Sequence, residues 1–401
     1  MSAPPIDVVI IGGGPAGIAS ALALHAQGVR VVVAERRLRG TRGTPGETLL
    51  GRARPVLDGL GIADVLDDWS CTPIDSHRSR WGPHGGPHGG SHGGSHGGSV
   101  EREGSLLLDP HGHGWQIDRD RFDELLRERA LERGLDVHLG MRCTQIAPET
   151  GGWRIRLDQD RAFRSLRASF VVDATGRSAF VARRLGARRE RCDRSIAMIA
   201  GILGPVATRG STLVEVCPTG WWYASALAEG DAALAFVSDA ALLPAGAAAR
   251  AHAFLEHLRT APLVERYLAG CGAPAWLRVV SAAPAATTPM AGDGWLATGD
   301  AAAVHDPVSF SGVTRALEHG RLSAAAIAAW LGGDRGALER YRARAEADFA
   351  VHLQTRRACY AVSGMSRFAF WRERAAPPTS PRSPTGPPPW TTAEPPPAWA
   401  G

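Results

Sequence analysis

Residues 6–35 carry a strand–turn–helix–strand pattern that leaves few folds open to this chain. The apolar runs Ile6–Ile11 and 29–34 suit parallel strands that are buried on both faces. Between the first run and a helical stretch lies a G-x-G-x-x-G turn, at Gly12, Gly14 and Gly17. These glycines allow a tight bend, a close approach of the backbone to a pyrophosphate, and close packing of helix on strand. The pattern predicts a βαβ unit that holds a dinucleotide at the N-terminus of its helix.

Glu35 ends the second apolar run, where a carboxylate can bind the ribose hydroxyls of adenosine. We therefore assign Glu35, together with the neighbouring Arg36, to the cofactor site. The βαβ unit alone does not separate FAD from NAD. A glycine-rich turn that only packs a helix on a strand remains the alternative.

A second segment, far along the chain, decides between the cofactors. An apolar strand leads into Gly299-Asp300, and Asp306-Pro307 leads into Ser311-Gly312-Val313. This arrangement resembles p-hydroxybenzoate hydroxylase-like flavoproteins. The resemblance implies that Asp300 binds the ribitol of FAD and that the amides of Gly312 and Val313 face the flavin ring. A helix N-terminus at that place stabilises the negative charge of a reduced flavin.

Two shorter segments extend the resemblance to the same family. The sequence Asp173-Ala174-Thr175-Gly176-Arg177 resembles the strand end that closes over the FAD pyrophosphate. Asp118-Arg119 resembles a helix start from which the arginine reaches toward the cofactor. We expect Arg119 to contact FAD, the alternative being a solvated surface arginine.

A set of aromatic and glycine motifs narrows the branch of the family. The motifs lie at residues 46–49, 80–82, 112–115, 220–223 and 370–371. Together they resemble the branch that contains tryptophan halogenases and the flavoprotein maturases of cysteine tryptophylquinone enzymes. Those halogenases carry a G-x-W-x-W-x-I-P motif and a lysine that relays hypohalous acid. Residues 220–227 lack that motif and the chain contains no lysine, so halogenation is disfavoured.

The resemblance implies an FAD-dependent monooxygenase that hydroxylates an electron-rich aromatic through a flavin C4a-hydroperoxide, using O2. The substrate is an aromatic small molecule or a tryptophan in a peptide or protein. NAD(P)H or a flavin reductase would supply the electrons. Trp221, Trp222 and Tyr223 are candidate walls of the substrate pocket, since aromatic rings stack on an indole or phenol. His305 is a candidate catalytic residue near the flavin, as a proton acceptor or a substrate-positioning group.

Two other functions stay open from the sequence. One is a flavin-dependent reductase or dehydrogenase, although that group usually carries a cysteine shortly before Gly-Glu, and residues 43–45 here hold none. The other is an FAD-bound assembly factor without catalytic turnover.

Composition excludes several function classes. All 45 basic residues are arginine, but no arginine cluster is interleaved with aromatics, so we predict no nucleic-acid partner. The six cysteines are scattered, which argues against disulfides and zinc and for a cytoplasmic location. The first apolar stretch is broken by glycine and proline, and we predict no membrane association. We also predict no metal site.

The chain is predicted to be of the α/β class (α+β overall), with a Rossmann-type FAD-binding domain and an interleaved sheet-rich substrate domain. The FAD-binding domain is assigned residues 1–70, 113–180 and 286–332, and the substrate domain residues 71–112 and 181–285. Residues 83–98 form a His-Gly repeat that is expected to be a mobile loop without a preorganised metal site. C-terminal helices at 333–374 precede a proline-rich tail, 375–401, that is expected to be disordered.

Overall fold

The computed structural model describes residues 6–38, 46–74, 76–82, 101–105, 111–160, 162–204, 206, 211–227 and 230–377. Its strands are β1 (Ile6–Ile11), β2 (Val31–Glu35), β3 (Glu47–Leu49), β4 (Cys71–Ile74), β5 (Ser76–Arg80), β6 (Glu101–Ser105), β7 (Gly114–Ile117), β8 (Asp136–Leu139), β9 (Arg142–Glu149), β10 (Gly152–Gln159), β11 (Ala162–Asp173), β12 (Arg188–Arg191), β13 (Ser195–Ile202), β14 (Ser211–Cys217), β15 (Gly220–Ala226), β16 (Ala232–Asp239), β17 (Pro274–Ser281), β18 (Ala285–Thr288), β19 (Ala291–Gly292), β20 (Trp295–Ala297) and β21 (Ala303–Val304). Its α-helices are α1 (Pro15–His25), α2 (Ala53–Gly59), α3 (Arg119–Glu132), α4 (Phe180–Arg184), α5 (Ala247–Leu258), α6 (Pro262–Tyr267), α7 (Gly312–Leu331), α8 (Ala337–Ala361) and α9 (Ala369–Ala375).

The cofactor half of the fold is built on an eight-stranded sheet in the order β19-β20-β11-β1-β2-β8, with β10 and β9 added beside β11. The pairs β2–β8, β1–β2, β1–β11 and β11–β20 are parallel. The side chains of β2, β20 and most of β1 are buried, as expected for strands covered on both faces, whereas those of the outer strand β8 are only partly covered. The helices α1 and α7 pack closely against each other at Gly320, where a Cβ would lie only 2.5 Å from the carbonyl oxygen of Ala16. The predicted α/β class and Rossmann-type unit are confirmed.

A seven-stranded sheet, in the order β17-β13-β16-β15-β14-β5-β6, forms the second half. One of its faces packs on α5 and α6 through Phe254, Leu263 and Val264. The other face is turned toward the α8–α9 end of the chain and includes Trp221 and Tyr223. Both faces of β15 are therefore buried.

Two three-stranded sheets join the halves, in the orders β3-β7-β4 and β12-β18-β21. Strand β4 pairs with β7, which lies in the segment assigned to the FAD-binding domain. The domain boundary predicted at residue 71 therefore cuts through a hydrogen-bonded sheet, and β4 is better grouped with the segments at 1–70 and 113–180. The remaining domain assignments stay predictions.

The C-terminal helical segment is interrupted. Within the predicted helical segment 333–374, α8 ends at Ala361 and α9 begins at Ala369. The turn between them allows Phe370 and Trp371 to fold back against Tyr360. The His-Gly repeat at 83–98 and all but the first residues of the tail at 375–401 lie outside the described residues.

Candidate active site

A cleft of about 300 Å³ runs from the glycine turn of the cofactor sheet to the open face of the seven-stranded sheet. The N-terminal ends of α1 and α7 form its floor, at Gly14, Pro15, Ser311 and Gly312. Its opposite wall is formed by side chains of alternating residues of the second sheet: Ala197, Ile199, Trp221, Tyr223, Ala233, Ala235, Val237 and Val280. One continuous space thus joins the predicted cofactor residues to the predicted substrate wall.

The glycine turn has the geometry that close phosphate binding requires. Gly12 has φ +113°, and a Cβ at this position would lie 2.1 Å from the carbonyl oxygen of Ala174. A Cβ on Gly17 would lie 2.0 Å from the carbonyl oxygen of Gly12, so both glycines are needed for packing. In contrast, a Cβ on Gly14 would meet nothing within 4 Å. Gly14 therefore faces open space at the first turn of α1, where helix amides bind an anion.

Glu35 lies behind the turn and not on the cleft surface. Its carboxylate accepts hydrogen bonds from the amides of Gly13 at 2.7 Å and Arg37 at 2.8 Å. Arg36 is exposed beyond the end of β2. Glu35 thus fixes the glycine turn, and contact of Glu35 or Arg36 with an adenosine ribose stays a prediction. Arg127 on α3, which the sequence reading missed, is buried and donates to the carbonyl oxygen of Gly13 at 3.3 Å.

Asp300 stands at the cleft surface in a short 3-10 turn, Gly299–Ala301. Its Oδ2 lies 3.5 Å from the Nε of Arg177, and the Asp300 side chain is 39% exposed. Arg189 braces the turn from behind by donating to the carbonyl oxygen of Asp300 at 2.8 Å. A carboxylate at the surface of the cleft suits the hydroxyl-rich ribitol of FAD.

The start of α7 provides the second helix N-terminus. Ser311 is the N-cap residue, and a Cβ on Gly312 would meet nothing within 4 Å. Val313, which was predicted to face the flavin, has a buried side chain that packs in the core of the cofactor half. Only its backbone amide remains available for the predicted contact. The first-turn amides and the positive end of the helix dipole together suit the electron-rich edge of a flavin.

Arg119 begins α3 and lines the same cleft. Its Nε donates to Asp123 at 2.8 Å, and its Nη1 donates to Glu47 at 2.9 Å. Burial opposes the charge of Arg119, but Asp123 and Glu47 outweigh it and raise its pKa. Arg119 is therefore a fixed cation at the cofactor end of the cleft.

The turn after β11 is held by a buried carboxylate. Asp173 accepts hydrogen bonds from the amide of Thr175 at 2.9 Å, its hydroxyl at 2.6 Å, and the amide of Ala182 at 2.8 Å. This shape brings Ala174, Gly176 and Arg177 to the cleft. The segment lies against the glycine turn at Ala174, and its closure over the FAD pyrophosphate stays a prediction.

The aromatic wall contains two of the three predicted residues. Trp221 and Tyr223 line the cleft, and Phe310 packs against both, with ring centroids 6.1 and 5.3 Å away. Trp222 does not line the cleft. Its ring lies on the opposite face of β15, stacked on Phe236 at 4.7 Å. Successive side chains of a strand point to opposite faces, so the pocket role predicted for Trp222 is corrected to a core role.

Tyr223 also carries a polar contact in this wall. Its hydroxyl lies 2.7 Å from the Oγ1 of Thr48 and donates to the Oε1 of Gln116 at 3.1 Å. Burial raises the pKa of Tyr223, so the phenol stays protonated at neutral pH. The Gln116 side chain presents an amide nitrogen without a partner among the described residues.

A buried chain of hydrogen bonds joins the aromatic wall to the turn before α7. The indole N–H of Trp221 donates to the Tyr360 hydroxyl at 3.1 Å, and that hydroxyl donates to Asp306 at 3.2 Å. The Nε of Arg356 donates to Asp306 at 2.6 Å, and its Nη2 donates to Asp193. Neither Tyr360 nor Arg356 stands in a recognisable motif, so these buried hydrogen bonds could not be predicted from the sequence.

His305 lines the cleft beside this turn, but its ring is turned toward α8. The centroids of His305 and His352 are 4.3 Å apart, and the Nε2 of His305 has no partner among the described residues. Burial, with the charge of Arg315, lowers the pKa of His305 well below its usual value. The ring is therefore neutral at ordinary pH, and its catalytic role stays a prediction.

A model of the FAD binding domain family matches residues 5–353, which is most of the chain. The chain belongs to this family. The cofactor is therefore FAD, and the glycine turn, Asp300 and the start of α7 fit it in the way described above. The family members are enzymes, and the chain is accordingly an FAD-dependent oxidoreductase.

Several known proteins are similar to this chain in sequence or in fold. LodB of Marinomonas mediterranea, described as an FAD-dependent oxidoreductase, is 26% identical over 318 residues, 78% of this chain and 81% of LodB. The flavin-dependent halogenase CmlS superposes with a TM-score of 0.80 at 23% identity, over 92% of this chain and 68% of CmlS. The peptidyl tryptophan dihydroxylase QhpG superposes with a TM-score of 0.74 at 24% identity, over 93% of this chain and 79% of QhpG.

Two further observations concern the described residues only. They contain no group of His, Cys, Asp and Glu side chains that could hold a metal ion. None of their helices is long and apolar enough to cross a membrane.

Proposed function

We propose that this protein is an FAD-dependent monooxygenase that hydroxylates an electron-rich aromatic ring, including the tryptophan side chain of a peptide or protein. The observation that carries the proposal is the continuity of the cleft, which joins the starts of α1 and α7 to Trp221 and Tyr223. Bound reduced FAD would supply the activation of O2. Trp221, Tyr223 and Phe310 would hold a flat substrate ring and exclude water, which protects a reactive flavin from side reactions.

Similarity to QhpG, a peptidyl tryptophan dihydroxylase, supports a peptide substrate. Halogenation is the second candidate, because CmlS and other similar proteins are halogenases. The lysine that the family resemblance leads us to expect in a halogenase has no counterpart here, since the chain contains no lysine. Hydroxylation therefore has the stronger support.

The test uses the FAD-loaded protein, reduced with NAD(P)H or with a separate flavin reductase, under isotopically heavy O2. Free indole, a phenol and a tryptophan-containing peptide are supplied with and without chloride or bromide, and the products are analysed by mass spectrometry. We expect heavy oxygen in an aromatic product. A halogenated product would favour the second candidate. FAD reduction without oxygen transfer would indicate a reductase or dehydrogenase, and the absence of any turnover would favour an assembly factor.

Trp221→Leu provides a variant for the same assay, with Trp222→Leu as its partner on the other face of β15. If the cleft holds the substrate ring, Trp221→Leu lowers the yield of oxygenated product relative to FAD reoxidation. Trp222→Leu affects stability but leaves that ratio unchanged. An equal ratio in both variants would contradict the assignment of the wall.

A further inference from the structure

We propose that an arginine-lined groove beside the cleft is a docking surface for an acidic polypeptide segment in extended conformation. The groove has a volume of about 730 Å³. Its charged lining consists of Arg177, Arg183, Arg188, Arg189, Arg191 and Glu190. It shares Arg177 and Val304 with the cleft, so the two spaces adjoin.

The positive charge of this arginine groove is poorly neutralised from within the protein. Arg183, Arg188 and Arg191 are exposed, and within the described part of the chain they form no ion pair. Arg177 contacts Asp300 at 3.5 Å, and Arg189 donates to backbone carbonyl oxygens and to a threonine hydroxyl. A concave surface with this much unpaired positive charge attracts an anionic partner and speeds its association.

The backbone of the groove favours an extended polypeptide as that partner. Strand β12 carries Arg188 and Arg191 and, among the strands that the structure describes, pairs with β18 alone, at the outer position of the β12-β18-β21 sheet. An outer strand presents backbone donors and acceptors that can pair with an added strand, while its side chains select the sequence of that strand. The alternative explanation of these arginines is that charge on an edge strand prevents self-association. That alternative predicts no specific binding of a peptide.

The groove lies next to the cleft, so a segment docked there would lie near the proposed active site. Arg177 stands between the groove and Asp300 at the cofactor end of the cleft. A segment that pairs with β12 would place a neighbouring aromatic side chain at the cleft mouth. In this respect the inference rests on the proposed function, but the docking itself is measured without turnover.

The experiment measures binding to the FAD-loaded protein by fluorescence anisotropy. The probe is a short labelled peptide of alternating Glu and Ala around a central Trp. A peptide with Gln in place of Glu controls for charge, and a backbone N-methylated version controls for strand pairing. We expect the Glu peptide to bind more weakly as salt is added, and both control peptides to bind at least about tenfold more weakly.

Two triple variants with equal net charge locate the site. The first variant reverses the charge of three arginines of the groove, by Arg183→Glu, Arg188→Glu and Arg191→Glu. The second reverses the charge of three exposed arginines elsewhere, by Arg54→Glu, Arg142→Glu and Arg372→Glu. The groove variant should lose about tenfold or more in affinity, and the control variant little. FAD occupancy reports folding of both, and a corresponding Gln series gives a smaller loss in the same direction if reversal impairs folding.

Several results would overturn the proposal. Equal affinity for the Glu and Gln peptides would exclude charge recognition. An equal loss of affinity for the Glu peptide in both triple variants would show that binding depends on the net charge of the protein and not on the groove. If NADPH, and not the peptide, loses affinity in the groove variant, the groove is a nucleotide site. Groove-dependent peptide binding without oxygen transfer would leave the docking intact and remove the monooxygenase proposal. Oxygenation of free indole without peptide binding would support the monooxygenase proposal and overturn the docking proposal.

Discussion

Replacing Asp306 with Asn tests the buried chain that joins the aromatic wall to the start of α7. Asp306 is 1% exposed, and its Oδ2 accepts a hydrogen bond from Arg356 at 2.6 Å and another from the Tyr360 hydroxyl at 3.2 Å. Its Oδ1 caps the amide of Val308 at 3.0 Å. The Asn side chain keeps an oxygen that can cap Val308, so the substitution mainly removes the negative charge.

The expected cost follows from these contacts. Breaking a buried ion pair from one side costs about 3–5 kcal/mol, because the remaining charge stays buried without compensation. Arg356 keeps its second carboxylate partner, Asp193. We therefore expect Asp306→Asn to lower the free energy of unfolding by about 3 kcal/mol, at the lower end of that range.

Denaturant unfolding of the FAD-loaded and FAD-free protein measures this loss. The control is Asp334→Asn, whose carboxylate pairs with Arg340 at the exposed surface, so its loss should leave the free energy of unfolding almost unchanged. The Asp306 variant should also bind FAD more weakly than the control, because the turn that it anchors lines the cleft at Pro307 and Ser309. A loss equal to that of Asp334→Asn would refute the role assigned to the buried pair.

Three further predictions concern the cofactor site and pH. Asp300→Ala should weaken FAD binding about ten- to a hundredfold, since a hydrogen bond to a charged group contributes about 1.5–3 kcal/mol; equilibrium titration measures this, and the exposed Asp293→Ala should change nothing. Gly12→Ala should abolish FAD binding because its Cβ would collide with the backbone at Ala174, whereas Gly28→Ala, also at positive φ but in open space, should only reduce stability. Burial, followed by the charges of two arginines, lowers the pKa of His352 to about 3. An unfolded histidine titrates near about 6.5, so stability is lost as the pH falls below that value. Between about pH 6.5 and 5 the parent should lose on the order of 2 kcal/mol more than His352→Gln, and parallel curves of unfolding free energy would contradict this.

The cofactor half of this protein could be predicted from local sequence patterns. The glycine turn, the Asp300 turn and the Ser311-Gly312 helix start are local patterns in which backbone conformation and chemistry coincide within a few residues. Gly12 illustrates the reason, because its positive φ and the carbonyl oxygen of Ala174 leave room only for glycine. Such requirements are legible without knowledge of the tertiary fold.

Which aromatic residues line the cleft depends on long-range packing. Trp221 and Trp222 are adjacent and both buried, because β15 is covered on both faces and shows no polar alternation that would reveal its orientation. Packing of α5 and α6 against one face assigned Trp222 to the core and left Trp221 for the cleft. The sequence therefore predicted which aromatic residues lie on β15 but not which of them face the cleft.

The Tyr360 chain was likewise beyond sequence reasoning. Trp221 and Tyr360 are 139 residues apart, and their hydrogen bond depends on α8 crossing behind the second sheet. The arginine groove depends in the same way on the fold, which brings α4, β12 and the end of β17 to one surface next to the cleft. The glycine turn predicts a dinucleotide site because its chemistry is local. The substrate side of the cleft is formed by long-range packing, which no short motif predicts.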